Sequence, residues 1–428
     1  MRITVNPPKS EWADLLRRPQ IDAPVIGERV AAILERVRAG GDRAVLDLTA
    51  EIDSVALDSL EVAPEEIERA EAAVSPELKR AIATAAEHIE RFHAAQRPRT
   101  VDLETAPGVR CLQRAVPIRR VGLYVPGGSA PLFSTVLMLA VPARVAGCPE
   151  VVLCTPARPD GTVAPEILYA ADLCGVDRVY TVGGAQAVAA LAYGTESIPR
   201  VDKIFGPGNR YVTKAKQLVG ANDVAVDLPA GPSEVLVLAD DEASPAFAAA
   251  DLLSQAEHGG DSQAVLVCAS ERFALDTRRA VEEQLQQLRR GDTIREALRQ
   301  SRIVVLDSRE KMIGFANAYA PEHLIISMRD AWEAAAQITA AGSVFIGPWS
   351  PESAGDYASG TNHTLPTGGW ARAYSGVNTD SFLRKITYQE LTRDGLSALS
   401  PAIVAMAEAE GLGAHAAAVR IRMKGGAL

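Results

Sequence analysis

The chain has 428 residues, 47% of them hydrophobic and 23% charged, with a formal net charge of −10. That length suits two to four domains rather than one, and the composition is that of an ordinary soluble globular protein. The acidic balance speaks against nucleic acid as a partner, because phosphate binding needs a basic face; no apolar run approaches a membrane span and the N-terminus lacks a signal peptide's apolar segment.

Residues 1–20 read as an arm: a short strand-like start, Pro7-Pro8, then a helix capped by Ser10. Residues 25–100 read as helices. Val30, Ile33, Leu34 and Val37 mark one apolar stripe; Leu78, Ile82, Ala85, Ile89 and Phe92 mark another behind Ser75-Pro76. His88 and His93 ride on that second helix among Glu and Arg, as solvated surface residues.

From residue 110 the pattern becomes strand, Gly/Pro turn and helix, repeated. Strands are predicted at 120–125, 151–154, 178–182, 203–205 and 225–228, then at 234–238, 264–268, 303–306, 323–326 and 343–346. Such alternation means βαβ units and two parallel sheets of similar size. Glycine turns at Gly183-Gly184 and Gly206-Pro-Gly208 precede helices. They suit an anion, or they only permit a tight turn; neither is a GxGxxG. Residues 349–369 form a long Gly-, Ser- and Pro-rich loop, too polar for core and too long for a mere connector, which favours a functional loop. The tail from Asn378 is amphipathic, with helices expected at about 387–393 and 400–410. It is too short to bury much alone and is expected to pack on another subunit.

The five cysteines, Cys111, Cys148, Cys154, Cys174 and Cys268, form no CxxC pair and mostly fall in or beside apolar runs. They read as reduced, buried thiols of a cytoplasmic protein. The histidines are more informative. Four of the six, His258, His323, His363 and His415, stand in the last 171 residues, each near glycine, proline or an acid. Gln255 and His258 sit three apart near the end of a helix that Ser244 and Pro245 begin and Gly259-Gly260 ends, so both side chains leave one face. Candidate metal donors are Gln255, His258, Asp356 and His415, with His323, His363, Glu322 and Glu410 in reserve, and spacing alone does not choose among them. Glu322 and His323 precede a strand-like run, at the kind of strand end where α/β sheets hold ligands. An acid beside an imidazole could supply a general base and activate water, provided a kink turns both to one side.

Eight blocks in order then resemble the histidinol dehydrogenase family along nearly the whole chain. They are GLYVPGG at 122–128, GGAQA at 183–187, FGPGNRYV at 205–212, GPSEV at 231–235, QAEHG at 255–259 and APEHL at 320–324. The last two are Gly355-Asp356 with SGTNH at 359–363 and LPT at 365–367, and Glu410 with AHA at 414–416. The resemblance implies an α/β fold: two Rossmann-like doubly wound parallel-sheet domains, a helical N-terminal segment and a C-terminal tail domain, in an intertwined homodimer. The implied divisions are an arm at 1–20, one Rossmann-like domain from 21–120 and 232–377 carrying the metal and acid/base residues, a second at 121–231, and a tail at 378–428 on the partner subunit.

The implied activity is NAD-dependent oxidation of L-histidinol to L-histidine through the aldehyde, in histidine biosynthesis, with zinc and two NAD. By matching position, Gln255, His258, Asp356 and His415 would hold Zn2+. Ser233, His323, His363 and Glu410 would contact the amino alcohol beside those ligands, and Tyr124, Gln186 and Asn209 would contact NAD. His323 would be the general base and Glu322 would activate water for the aldehyde step. A relative oxidising another small polar alcohol, or a zinc hydrolase using the Glu322–His323 pair, are the alternative readings.

Overall fold

Strands form where Val, Ile and Leu run with little interruption. The computed structural model describes residues 1–19, 23–127, 130–229 and 231–425. In chain order the strands are β1 (Arg2–Val5), β2 (Val101–Ala106), β3 (Val109–Pro117), β4 (Arg120–Tyr124), β5 (Glu150–Thr155), β6 (Arg178–Thr181), β7 (Lys203–Phe205), β8 (Ala225–Val226), β9 (Glu234–Ala239), β10 (Gln263–Cys268), β11 (Arg302–Val305), β12 (His323–Ser327), β13 (Ser343–Ile346) and β14 (Leu383–Leu391). The chain divides into two units, Met1–Gln96 with Ile118–Phe382, and Arg97–Pro117 with the chain from Leu383 onward.

The larger unit holds two parallel sheets, ordered β6-β5-β4-β7-β8 and β1-β11-β10-β9-β12-β13. Counted from the first strand of each series, both run 3-2-1-4-5, with β1 added beyond β11 in the second. The expected pair of doubly wound sheets is therefore present, and the two share one topology. Every residue of β9, β10 and β12 is buried, as parallel strands covered by helices on both faces must be. The strand order reverses between β4 and β7 and between β9 and β12, and crevices open at such points.

Helix Pro245–Ala256 starts as its sequence predicts: Pro245 fills the first turn and the Ser244 hydroxyl accepts from Phe247 N at 3.4 Å. Helix Pro76–Ala94 starts the same way at Ser75. Its buried face departs from the expected one. Ile82, Ala85, Ile89 and His93 lie inside, whereas Phe92 is 47% exposed. His93, expected on the surface, is fully buried because it stands four residues after Ile89, one turn along the same face. Its Nδ1 lies 2.8 Å from Ile89 O and its Nε2 3.4 Å from Asn362 Nδ2, so the ring is satisfied. His88 is exposed, as expected.

The loop after Trp349 is less open than its composition implies. Glu352–Tyr357 is a short helix, and Asn362, Thr364 and Thr367 are buried. Hydrogen bonding makes this tolerable: Asn362 Nδ2 donates to Met138 O at 2.6 Å, and Thr367 Oγ1 accepts from Gly231 N.

The smaller unit corrects the tail. Residues 387–391, expected in a helix, belong to β14, which pairs antiparallel with β3; β3 in turn pairs with β2. The run Ile386-Thr-Tyr-Gln-Glu-Leu391 carries β-branched and aromatic residues, and cross-strand pairing decided its conformation. The helix beyond it spans Arg393–Ala409, opened by the Thr392 hydroxyl accepting from Gly395 N at 3.0 Å. A second helix follows at Gly413–Lys424.

Phe382, the last residue of the larger unit, is fully buried and stacks on Phe205, with centroids 4.0 Å apart. Phe382→Ala should cost about 3–5 kcal/mol, read as a fall in unfolding midpoint; an unchanged midpoint would contradict that packing. The five cysteines are all unpaired. Burial pushes Cys148, Cys174 and Cys268 up to about 12 and Cys154 further still. In the native protein at pH 8 a thiol reagent should therefore modify Cys111 alone at an appreciable rate, and all five after denaturation. Rapid labelling of Cys154 would show the packing to be otherwise.

Candidate functional site

The chemistry-bearing residues gather at the amino ends of β9 and β12, and not at the carboxyl ends where α/β sheets usually hold ligands. His323 opens β12 and Glu322 precedes it. Ala320, with φ of 52°, turns the chain just before them, and His323 Nδ1 lies 3.7 Å from Glu322 Oε2. Glu322 Oε2 also accepts from Glu234 N at 2.9 Å, fixing the carboxyl against β9.

Gln255 ends the helix after β9 and is fully buried, while His258 in the following turn is solvent-reachable. One orientation of the carboxamide fits its neighbours better than the other. Its two N–H hydrogens reach Glu234 O at 3.2 Å and Glu352 Oε1 at 3.0 Å, its nitrogen also lies 3.2 Å from His323 Nδ1, and its oxygen accepts from His258 Nδ1 at 3.3 Å. Helix Glu352–Tyr357 brings the acids. Donor atoms of His258, Glu352 and Asp356 lie within 4.8 Å of one another. Glu352 Oε1 is 3.6 Å from His323 Nδ1, and Asp356 Oδ1 is 3.8 Å from His323 Nε2. His363 joins the edge of the group, Nδ1 to Asp356 O at 3.0 Å and Nε2 to Thr135 Oγ1 at 3.3 Å.

Gln255, His258, Glu322, His323, Asp356 and His363 are thus brought together. Glu410 and His415 belong to the smaller unit, where both are exposed. Glu352 is the residue that sequence reasoning missed. Its signal was present: it stands four residues before Asp356, on the same helical face.

Burial drives the ionisable members of this cluster toward neutrality. It pulls His323 down to about 3 and His363 down to about 4, pushes Asp356 up to about 7, and raises Glu322 and Glu352 well above the usual carboxylate range. Two buried atoms of this cluster, His323 Nε2 and Glu352 Oε2, have no hydrogen-bond partner among the described residues. Mixed imidazole nitrogen and oxygen donors with unfilled valence suit a borderline cation such as zinc, which would relieve the crowding of acids.

Tyr124, Gln186 and Asn209 occupy a different place, the carboxyl side of the other sheet, where they line a cavity of about 950 Å³. Tyr124 OH accepts from Gly184 N at 3.2 Å, and Gln186 Nε2 donates to Asp53 Oδ2 at 3.2 Å. Asn209 caps the helix Arg210–Asn222, accepting from Tyr211 N at 2.9 Å and Val212 N at 3.2 Å. Its helix start is therefore already capped by the chain. Gly206, at φ 126°, passes so close to Tyr124 O that a Cβ would lie 2.0 Å away. The tight-turn reading of that glycine is the one its surroundings require. Asp227 and Lys216, a buried ion pair, clamp the turn: Asp227 Oδ2 accepts from Gly206 N and Lys216 Nζ donates to Gly206 O, each at 2.7 Å. A second cavity of about 810 Å³ is lined by Ser233, His258 and, again, Asn209. Asn209 lines both spaces, so the Tyr124–Gln186 cavity and the His258 side share a wall.

Comparison with known proteins gives the family. Residues 16–423 match the family model for histidinol dehydrogenase. The histidinol dehydrogenase of Bacteroides fragilis (strain YCH46) is 56% identical over 424 residues, spanning 99% of each chain. That of Escherichia coli (strain K12) is 53% identical over 412 residues, 96% of this chain and 94% of the other. The crystal structure of histidinol dehydrogenase from Elizabethkingia anophelis superposes with a TM-score of 0.97 at 52% identity, covering 99% of this chain and 98% of that one. With relatives more than half identical from end to end and a near-coincident solved structure, the chain belongs to the histidinol dehydrogenase family of oxidoreductases.

Proposed function

We propose that the protein oxidises L-histidinol to L-histidine through L-histidinaldehyde, consuming two NAD, in the closing steps of histidine biosynthesis. The observation that carries this reading is the convergence of Gln255, His258 and Asp356 beside His323, whose buried Nε2 has no partner. Gln255, His258 and Asp356 would hold one Zn2+ per subunit, with His415 of a second copy as the fourth ligand. Ser233, His363 and Glu410 would take the polar ends of the amino alcohol, and Tyr124, Gln186 and Asn209 would hold NAD.

The smaller unit supports the homodimer in this proposal. Its two helices bury only Gly395, Ala407, Ala416 and Val419, and leave Met406 and Ile421 about two-thirds exposed. An apolar surface of that kind is expected to be covered. Five unpaired thiols favour a cytoplasmic setting, and among the described residues no helix is long and apolar enough to cross a membrane.

Bound zinc would supply a Lewis acid that grips nitrogen donors of the substrate and orients its carbinol carbon, and bound NAD would supply the hydride acceptor. The remaining work is proton handling by the chain. His323 is held neutral by burial, with Nδ1 toward Glu322 and Glu352 and Nε2 free. With the ring's one proton on Nδ1, Nε2 takes the hydroxyl proton, and the Glu322 and Glu352 carboxyl groups face the Nδ1–H of the imidazolium as it forms. In the second oxidation the ionised form of Glu322, which burial makes a stronger base than an exposed glutamate, deprotonates the water that adds to the aldehyde. His323 returns the proton it took to the carbonyl oxygen as the hydrate forms, and takes a hydrate proton as the second hydride leaves. No thiol enters either step.

NADH should form when protein, NAD and L-histidinol are mixed, at two per substrate, and should cease after metal chelation and return with zinc. Absence of NADH with the zinc-loaded dimer would end this reading. Two substitutions separate the proton carriers. His323→Asn should lower turnover by roughly 10²–10⁴ with zinc content unchanged, and near-normal turnover would remove His323 from the mechanism. Glu322→Gln should slow oxidation of supplied aldehyde more than that of alcohol; equal slowing would contradict its role in activating water.

A further inference from the structure

The cavity beside Tyr124 and Gln186 contains a carboxylate that the chemistry above does not use. Asp53 ends the helix Ala23–Asp53 and lines the cavity at half-burial. One oxygen receives the Gln186 amide at 3.2 Å, and among the described residues Asp53 forms no ion pair. The walls on either side are apolar, formed by Ile52, Val55, Pro131, Pro156 and Pro165. Arg29 and Arg158 line the same cavity, and the Arg29 guanidinium lies over the Tyr211 ring, 5.5 Å from its centroid.

A carboxylate facing such a space accepts hydrogen bonds and donates none. Leaving it half-buried with a single amide donor costs free energy unless the occupant brings donors of its own. An anion placed directly against Asp53 meets like charge, although Arg29, Arg158 and Glu166 also line the space. A flat apolar cleft next to an acceptor-only group fits a nucleoside: the base lies against the prolines and aliphatic walls, and two vicinal hydroxyls meet the carboxylate. Gln186 orients that carboxylate through its amide, which ties Asp53 to a residue already assigned to the dinucleotide.

We infer that Asp53 receives the ribose diol of the adenosine half of the dinucleotide and thereby selects NAD over its 2′-phosphorylated form. The inference rests on the reading of this cavity as the NAD site. Replacing a 2′-hydroxyl by a phosphate removes one donor and sets negative charge against negative charge. The same carboxylate therefore favours one dinucleotide and opposes the other.

The test is calorimetric titration of the zinc-loaded dimer with NAD and with NADP, for the unaltered protein, Asp53→Asn and Asp53→Ser. Both variants should weaken NAD about 10- to 100-fold, the range for a hydrogen bond to a charged group. Asp53→Ser should bind NADP no worse than the unaltered protein, so the NAD-to-NADP preference falls at least about tenfold. Equal loss for both dinucleotides would overturn the selectivity assignment. A third variant, Ile52→Trp, fills the cavity from a partly exposed wall position and separates the remaining outcomes. If it abolishes NAD binding while Asp53→Asn leaves it intact, the role of Asp53 falls and the cavity keeps its assignment. If neither variant disturbs NAD binding, the cavity is not the dinucleotide site and the reading beneath the inference falls with it.

Discussion

His323 sits where water scarcely reaches, with Glu322, Glu352 and Asp356 all within 3.8 Å of its ring nitrogens. Burial opposes charge on each of these groups, so the cluster is tolerable only as a set of neutral partners or around a compensating cation. The larger unit is arranged to hold them against that penalty. Strand β12 places the imidazole, β9 offers a backbone amide to Glu322 and a carbonyl to Gln255, and helix Glu352–Tyr357 closes over the far side. Each support comes from a different crossover of one sheet, which is why no short segment of the chain contains the site.

The two sheets share a strand order and use opposite rims. On the first, Tyr124, Gln186 and Asn209 stand at carboxyl ends, as expected of a doubly wound sheet. On the second, Glu322, His323 and Ser233 stand at amino ends, and the preceding helix contributes through its C-terminal turn. Gly206 and Asn209 lie in the turn after β7, and Asn209 lines both cavities. That turn is clamped by the buried Lys216–Asp227 pair. Such a clamp holds the wall between the two spaces in place, as the proposed hydride transfer would require.

Much of this was legible in the sequence, for identifiable reasons. Strand and helix alternation, the Ser244-Pro245 helix start and the Gln255/His258 spacing are local, and local rules read them. What failed was non-local or a matter of phase. His93 looked solvated because its neighbours in sequence are polar, yet one turn of helix sets it below Ile89 among core residues. Residues 387–391 looked helical because amphipathicity in a short window does not separate helix from strand, and β3 supplied the partner that decided. That Glu322 and His323 precede a strand was legible; that the cluster gathers on this amino rim, rather than on the usual carboxyl one, was not, since it depends on contacts with Gln255, Glu352 and Asp356 from distant parts of the chain.

Glu352 shows how the cluster acts as one unit. Its Oε1 accepts from the Gln255 amide at 3.0 Å and lies 3.6 Å from His323 Nδ1. The first contact turns the carboxamide so that its oxygen faces the His258 side, where a metal donor must point. The second keeps a carboxyl group beside the imidazole nitrogen opposite the free one. One buried carboxyl therefore orients a proposed metal ligand and the proposed base together, so any shift of its charge moves both. A glutamine ligand, unusual for zinc, becomes understandable on this basis: unlike glutamate, it can donate to the acid behind it while presenting oxygen in front. Exchanging it for a carboxylate would place a further buried negative charge against Glu352, in surroundings that already drive Glu322, Glu352 and Asp356 to hold their protons.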